Sequence, residues 1–188
     1  MNDLRELKLS DEEFERMTRY SNYNDTEFSR KRAVIMGFDK PNTIIQNGSI
    51  LNVKNKEAIG ENVVISLFCY LNGDVTVEDN CLIGPQCSLT GGHHKFDPAT
   101  GWFSARTEPD GDDSIVIGWG SWLCTGVTVT AGVKIGRVNL VCAGAVVTKS
   151  TPDYAIMAGI PAKQIGHVDP ESGKYIWYSD DDKIDTEK

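Results

Sequence analysis

The histidine pair His93-His94 is the part of this sequence best suited to proton transfer. The chain contains three histidines, and these two adjoin a segment at residues 95–114 that is rich in Gly, Asp, Pro and aromatic residues. Histidine titrates near neutral pH, so it can take a proton from a hydroxyl or an amine as a general base. The alternative is that both are loop histidines without a chemical role.

A six-residue repeat of aliphatic side chains indicates the elements that must position these histidines. The repeat runs without a miss in two blocks, and it resumes after a step of 28 residues in place of six. The blocks are Ile59, Ile65, Leu71, Val77, Ile83 and Leu89, then Ile117, Leu123, Val129, Ile135, Val141 and Val147. The fifth position of each hexad is mostly small or β-branched, as in Cys69 and Val75. Hexapeptide repeats are typical of a parallel β-helix, here with three hexads per coil.

The segments that flank the repeat are predicted to close its ends. Ser10-Asp11-Glu12-Glu13 is a capping box, and a second helix is expected to begin near Asn24 and Asp25. Residues 1–42 are therefore predicted to form a helical cap over the end of the repeat, or alternatively to contribute to a substrate pocket. Residues 43–166 form the predicted β-helix domain, with an extruded loop at 95–114.

Residues 167–188 are predicted to form a C-terminal tail that is partly disordered. Within it, Tyr175-Ile176-Trp177-Tyr178 is apolar enough to dock against the domain. The last ten residues are mostly charged, which is typical of a disordered end.

Composition narrows the choice of partners and compartment. A net charge of −8 argues against a nucleic acid or an anionic membrane as partner, because both require a basic surface. No apolar run approaches the roughly 20 residues of a membrane span, and the first residues lack the apolar core of a signal peptide. We therefore expect a cytoplasmic protein. Its five cysteines, without a Cys-x-x-Cys motif, are expected to be free structural thiols, with no zinc site.

The sequence resembles the hexapeptide-repeat acyltransferases, and most closely their maltose and galactoside O-acetyltransferase branch. The resemblance covers roughly residues 55–166 and is most specific in four stretches, His94-Lys-Phe-Asp-Pro98, Trp122–Val127, Ala143–Lys149 and Ala158–Lys163. It implies a left-handed β-helix, a homotrimer, and acetyl transfer from acetyl-CoA at clefts between neighbouring subunits. The spacing of the repeat does not by itself indicate the hand.

The resemblance also implies roles for individual residues. His94 corresponds to the catalytic base, because it holds the last hexad position before the loop and opens the pattern His94-x-x-Asp97-Pro98. His93 then holds the inward fifth position. Thr125 corresponds to a residue whose backbone N–H faces the thioester carbonyl, and Trp122 to a tryptophan that lines the cleft. Further contacts to CoA correspond to Ala143, Thr148, Lys149 and Lys163.

The acceptor half of the site matches this family less well than the donor half. An asparagine that contacts the acceptor in sugar acetyltransferases corresponds to Ser66, whereas the nearby acid is retained as Asp74. A second basic contact to CoA falls on Gly166. The resemblance therefore implies that the phosphates are bound more weakly, or that Lys134 or Arg137 takes over that contact.

The sequence thus predicts acetyl transfer from acetyl-CoA to a hydroxyl of a sugar or similar small acceptor, with His94 as base and without a metal. Two alternatives stay open: N-acetylation of an amino sugar or nucleotide sugar, which the same base and donor site would serve, and a non-catalytic β-helix scaffold. A γ-type carbonic anhydrase is disfavoured. Its zinc needs three histidines on separate coil faces, whereas here two are adjacent and His167 lies past the last coil.

Overall fold

Short parallel strands wound into coils make up most of the protein. The structure is a computed structural model, and it describes residues 10–13, 26–92, 94–104 and 112–179. Each coil passes through up to three sheets, and each strand pairs in parallel with the equivalent strand of the next coil. The predicted parallel β-helix of hexapeptide repeats is therefore confirmed.

The strands divide among three sheets and one hairpin. Sheet A contains β1 (Ile44–Ile45), β3 (Val64–Ile65), β6 (Leu82–Ile83), β11 (Trp122–Leu123), β14 (Leu140–Val141), β16 (Ala155–Gly159), β17 (Ala162–Val168) and β18 (Tyr175–Trp177). Sheet B contains β2 (Ile50–Val53), β4 (Tyr70–Gly73), β7 (Ser88–Thr90), β12 (Thr128–Thr130) and β15 (Val146–Val147). Sheet C contains β5 (Val75–Val77), β10 (Ile115–Ile117) and β13 (Lys134–Ile135). The hairpin pairs β8 (Lys95–Asp97) with β9 (Trp102–Ser104).

The inward row of aliphatic side chains forms the core. All twelve aliphatic residues of the repeat are at most 2% exposed, and the small fifth-position residues are buried as well wherever the structure describes them. Burying one such aliphatic side chain contributes about 1.5–3 kcal/mol relative to leaving it in water. Leu89 pairs directly with Val129 across the inserted segment, so the extruded loop leaves the ladder of the β-helix intact.

Helical residues precede the first strand, as predicted. Residues 11–13 are helical, and the predicted capping box is formed: the Glu13 N–H donates to Ser10 Oγ at 3.2 Å, and the Ser10 N–H donates to the Glu13 carboxylate at 3.0 Å. Helix α1 (Thr26–Ile35) buries Phe28 and Ala33. Its Arg32 guanidinium donates to the Ile45 carbonyl oxygen at 2.9 Å, which fixes the helix to the first coil.

The extruded loop and the tail both contain strands. Within residues 95–114, β8 and β9 form an antiparallel hairpin on which Phe96 and Phe103 pack edge to face at 5.7 Å. The predicted docking of Tyr175–Tyr178 is confirmed, because β18 adds to β17 at the end of sheet A. Residues 180–188 of the predicted disordered end lie outside the described residues. The division of the chain at residues 42 and 166 stays a prediction, and the second boundary falls within β17.

One corner of the β-helix holds a valine in the left-handed conformation. Val138 has φ 53°, and the corresponding turns of other coils carry Asn62, Asn80 and Gly120, linked by successive backbone hydrogen bonds. Asparagine and glycine adopt this conformation readily, whereas the crowded Cβ of a valine costs about 1–2 kcal/mol.

We therefore expect Val138→Asn to stabilise the protein by about 1 kcal/mol, because it relieves this backbone strain. Urea unfolding followed by circular dichroism measures the difference. Val116→Asn, on a strand of sheet C without a positive φ, is the matched control and should give no gain. A Val138→Asn protein no more stable than the parent would contradict the strain argument.

Candidate active site

A groove on the outer face of sheet A gathers four of the predicted site residues, Ser66, Trp122, Thr125 and Ala143. Its volume is about 340 Å³. The lining residues are Val64, Ser66, Leu82, Ile83, Gly84, Pro85, Trp122, Cys124, Thr125 and Ala143. Most of these side chains are apolar, so the groove suits a ligand with a largely apolar arm.

The hexad phase explains how the groove is built. Val64, Leu82 and Trp122 pair directly with one another at outward positions of three neighbouring strands, so they form its floor. Ser66 and Cys124 each follow an inward aliphatic residue, at the corner where the chain turns from sheet A to sheet B. Sequence reasoning found Ser66 but missed Gly84, Pro85 and Cys124. Counting the position that follows each inward aliphatic residue of sheet A would have identified Gly84 and Cys124 from the sequence.

The backbone N–H of Thr125 is available to a ligand at the edge of the groove. Among the residues that the structure describes, no acceptor pairs with this N–H. Thr125 itself is exposed beside the groove. A side chain at Gly84 would collide with the carbonyl oxygen of Leu123 and the backbone of Cys124. Glycine therefore lets the two turns pack closely at this corner.

The thiol beside the groove is in the wrong protonation state for a nucleophile. Burial raises the pKa of the Cys124 thiol, and the neighbouring Cys142 raises it further. Since the thiolate is the reactive form, Cys124 is protonated and poorly nucleophilic near neutral pH. Burial also raises the pKa of Cys81 in the core, to about 11. The five cysteines are free thiols.

His94 lies exposed at the base of the extruded hairpin, where β9 holds its ring. His94 Nδ1 is 3.1 Å from the carbonyl oxygen of Ser104. Because a carbonyl oxygen can only accept, Nδ1 carries the hydrogen and Nε2 keeps a lone pair able to accept a proton. Sequence reasoning missed Ser104, since no sequence signal links a loop carbonyl to a histidine ten residues earlier. His93 lies outside the described residues.

Within one chain, His94 and the groove lie at different corners of the β-helix. The groove follows the corner between sheets A and B, whereas the loop that carries His94 leaves from the corner between sheets B and C. Asp74 lies at this second corner, where its carbonyl oxygen accepts from the Ile115 N–H at 2.8 Å. Its carboxylate is 3.9 Å from Lys54 Nζ, an exposed ion pair of small energetic value.

The other residues predicted to contact CoA lie toward the C-terminal end of the β-helix. Thr148 and Lys149 are exposed in the turn that follows β15, and Lys163 is exposed on β17. None of the three lines the groove. The structure therefore groups Ser66, Trp122, Thr125 and Ala143, and leaves these three residues, with His94 and Asp74, outside that group.

Both cations considered as replacements at Gly166 already have partners elsewhere. Lys134 Nζ is 3.0 Å from the Asp112 carboxylate. Hydrogen bonds from Ser114 and Lys134 lower the pKa of Asp112 to about 2. The Arg137 guanidinium lies over the Trp119 ring at 5.5 Å. That either residue contacts phosphate stays a prediction.

The described part of the chain contains neither a cluster of metal-binding side chains nor a membrane-spanning helix. Across residues 10–13, 26–92, 94–104 and 112–179, no three His, Cys, Asp or Glu side chains are grouped so that they could hold a metal ion. Within the same ranges, no helix combines the length and the apolarity that a membrane crossing requires.

Several known proteins with a similar sequence are acetyltransferases. The chain is 31% identical over 110 residues to galactoside O-acetyltransferase of Escherichia coli, an alignment that covers 56% of this chain and 50% of that protein. The resemblance to hexapeptide-repeat acyltransferases is thereby confirmed. The chain spans about half the length of the curated relatives that it matches. No family model matches it.

Solved structures share the fold at lower sequence identity. The maltose O-acetyltransferase of Clostridium difficile superimposes with a TM-score of 0.57 at 20% identity, covering 84% of each chain. A hexapeptide-repeat-containing acetyltransferase of Vibrio cholerae, solved with acetyl-CoA, gives a TM-score of 0.53 at 18% identity and covers 83% of this chain and 82% of that one. At these identities the likeness shows the β-helix fold alone.

Proposed function

We propose that this protein transfers the acetyl group of acetyl-CoA to a hydroxyl of a sugar or similar small acceptor. The observation that carries the proposal is the groove on sheet A, because the four residues assigned to a cleft by resemblance, Ser66, Trp122, Thr125 and Ala143, line one surface. The relationship to galactoside O-acetyltransferase supports both the reaction class and an oxygen acceptor.

In this proposal the donor lies along the groove, from Thr125 toward Ala143 and the C-terminal coils. The thioester carbonyl oxygen accepts from the Thr125 N–H, which has no acceptor among the described residues. The apolar floor at Leu82 and Trp122 contacts the pantetheine arm. Lys163, exposed on β17 of sheet A, contacts the nucleotide phosphates in this proposal. Thr148 and Lys149 follow β15 of sheet B, at the same kind of corner as the His94 loop, so in this proposal they reach the phosphates from the neighbouring chain.

His94 acts as the base in this mechanism. Its Nε2 takes the proton of the acceptor hydroxyl as the oxygen attacks the thioester carbon, and the Thr125 N–H stabilises the oxyanion that forms. The tetrahedral intermediate then collapses and expels the CoA thiolate, which takes the proton back from Nε2. Throughout, Nδ1–H stays bonded to the Ser104 carbonyl oxygen, which orients the ring.

The acetyl group passes directly from donor to acceptor in this scheme. A covalent acyl-enzyme would need a nucleophile, and Cys124 is the thiol that lines the groove. Because burial raises its pKa, Cys124 is mostly protonated near neutral pH and attacks a thioester slowly.

A complete site in this proposal needs two chains, arranged in a cyclic homotrimer. One chain supplies His94 at its loop corner, and its neighbour supplies the groove. The outward positions of sheet A support such packing because Ile44, Val64, Leu82 and Trp122 are apolar, and Leu82 and Trp122 are each 45% exposed. Leu140 and Ile156 continue the row but are already buried within one chain. Sheets B and C carry polar residues at several such positions, among them Ser88, Thr128 and Thr76. Closed symmetric assemblies bury apolar faces of this kind.

Replacing His94 with alanine should lower kcat for acetyl transfer by roughly 10²- to 10⁴-fold, the usual worth of a general base. Release of CoA thiol, followed with a thiol reagent at saturating donor and acceptor, measures this. His167→Ala is the control and should leave kcat unchanged, and His93→Ala should cost less than His94→Ala. Loss of turnover in His93→Ala together with retained turnover in His94→Ala would reverse the assignment.

Mixing two inactive variants should restore activity if the site is shared between chains. His94→Ala removes the base, and Ala143→Trp fills the groove, so neither homotrimer should turn over. Random co-assembly of equal amounts should give about a quarter of the sites an intact histidine facing an intact groove. The matched control mixes His94→Ala with His94→Asn and should stay inactive. Co-assembled trimers that remain inactive would contradict a site between subunits.

A further inference from the structure

The outer face of sheet A continues beyond the last coil of the β-helix. Direct pairing places Trp122, Leu140, Ile156, Gly166 and Trp177 in one row across five neighbouring strands. Directly paired residues share a face of a sheet. Trp177 on β18 therefore lies on the same face as Trp122, which lines the groove.

Gly166 is the residue that allows β18 to join this sheet. A side chain at position 166 would collide with the carbonyl oxygen of Ile176 on β18. The family resemblance places a basic contact to CoA at this position. Here the glycine and the added strand come together, so the place of that basic side chain is taken by a strand that carries Trp177.

Two aromatic rings are displayed on the outer face of this strand. Tyr175 is two residues before Trp177, so both side chains lie on one face. Their ring centroids are 6.3 Å apart, and the two residues are 51% and 54% exposed. The backbone beneath them is anchored, because the Tyr178 N–H donates to the Ile165 carbonyl oxygen at 2.9 Å. Tyr175 and Trp177 therefore form an aromatic pair, with its rings edge to face at 79°, that is exposed to solvent.

Lys163 adds a positive charge to the same face. It pairs directly with Ala158, which is two residues from Ile156 of the row, so both lie on the outer face. From Trp122 to Trp177 the row crosses four interstrand spacings, roughly 19 Å at about 4.8 Å each. An extended pantetheine arm and diphosphate separate the thioester of CoA from its adenine by a comparable length.

We infer that Tyr175 and Trp177 bind the adenine base of the donor nucleotide, with Lys163 contacting its phosphates. This inference rests on the acetyl-CoA-dependent activity proposed above. A purine stacks favourably on an aromatic side chain, and an ammonium group binds phosphate as a point charge. On a protein with a net charge of −8, the stacking contact supplies affinity for the nucleotide that the family's missing basic residue would otherwise supply.

The test compares two donors that differ only in the nucleotide, acetyl-CoA and acetyl-pantetheine. Trp177→Ala should raise the KM for acetyl-CoA by roughly 5- to 150-fold, the range measured for loss of one stacked base. It should leave kcat and the KM for acetyl-pantetheine unchanged. Trp177→Phe keeps an aromatic face and should retain most of the affinity. Ile176→Ala alters the opposite face of the same strand and should leave both KM values unchanged.

A binding measurement separates failure of this inference from failure of the proposed function. Calorimetry with CoA and with pantetheine should show that Trp177→Ala weakens the first only. An unchanged KM and affinity for CoA in Trp177→Ala would overturn the aromatic subsite while the transferase activity stands. If light scattering shows that Trp177→Ala forms a smaller assembly than the parent, the aromatic subsite would be overturned. Trp177 would then contact a second copy of the chain and not the nucleotide. A parent protein that neither binds CoA nor turns over either donor would overturn both proposals.

Discussion

Stacking of the inward aliphatic residues on successive coils is the interaction on which the rest of the structure depends. Each of these side chains is buried against its equivalent one coil away, as where Ile83 pairs with Leu123. Because the period is fixed, burying one position fixes which neighbours face outward. The outward row of sheet A, the corner turns and the exit point of the loop all follow from that single register.

The same register explains how much could be predicted. The six-residue period predicted the buried rows, and the family resemblance predicted the cleft residues Trp122 and Thr125. Both could be predicted because these residues hold fixed positions within the hexads. Neither predicted the β8–β9 hairpin, the Ser104 carbonyl beside His94, or the pairing of β18 with β17. Those contacts join segments outside the repeat, so they depend on backbone geometry that periodicity does not encode.

The departures from the family pattern become physically connected once the fold is known. The sequence alone indicates that Gly166 replaces a basic residue that contacts CoA, and that the apolar tail docks against the domain. In the structure they are one feature, because a side chain at position 166 would collide with the Ile176 carbonyl oxygen of β18. The C-terminal extension of sheet A thus continues the outer face that begins at the groove, and it alters the end of that face where phosphates would lie.

The central claim is that the outer face of sheet A is the donor site of an acetyltransferase. A crystal structure of the protein with bound CoA tests this claim most directly. The account predicts the thiol end beside Thr125, the pantetheine arm over Leu82 and Trp122, and His94 of a neighbouring subunit next to the sulfur. CoA bound on sheet B or sheet C, or a thiol end remote from every His94, would contradict it.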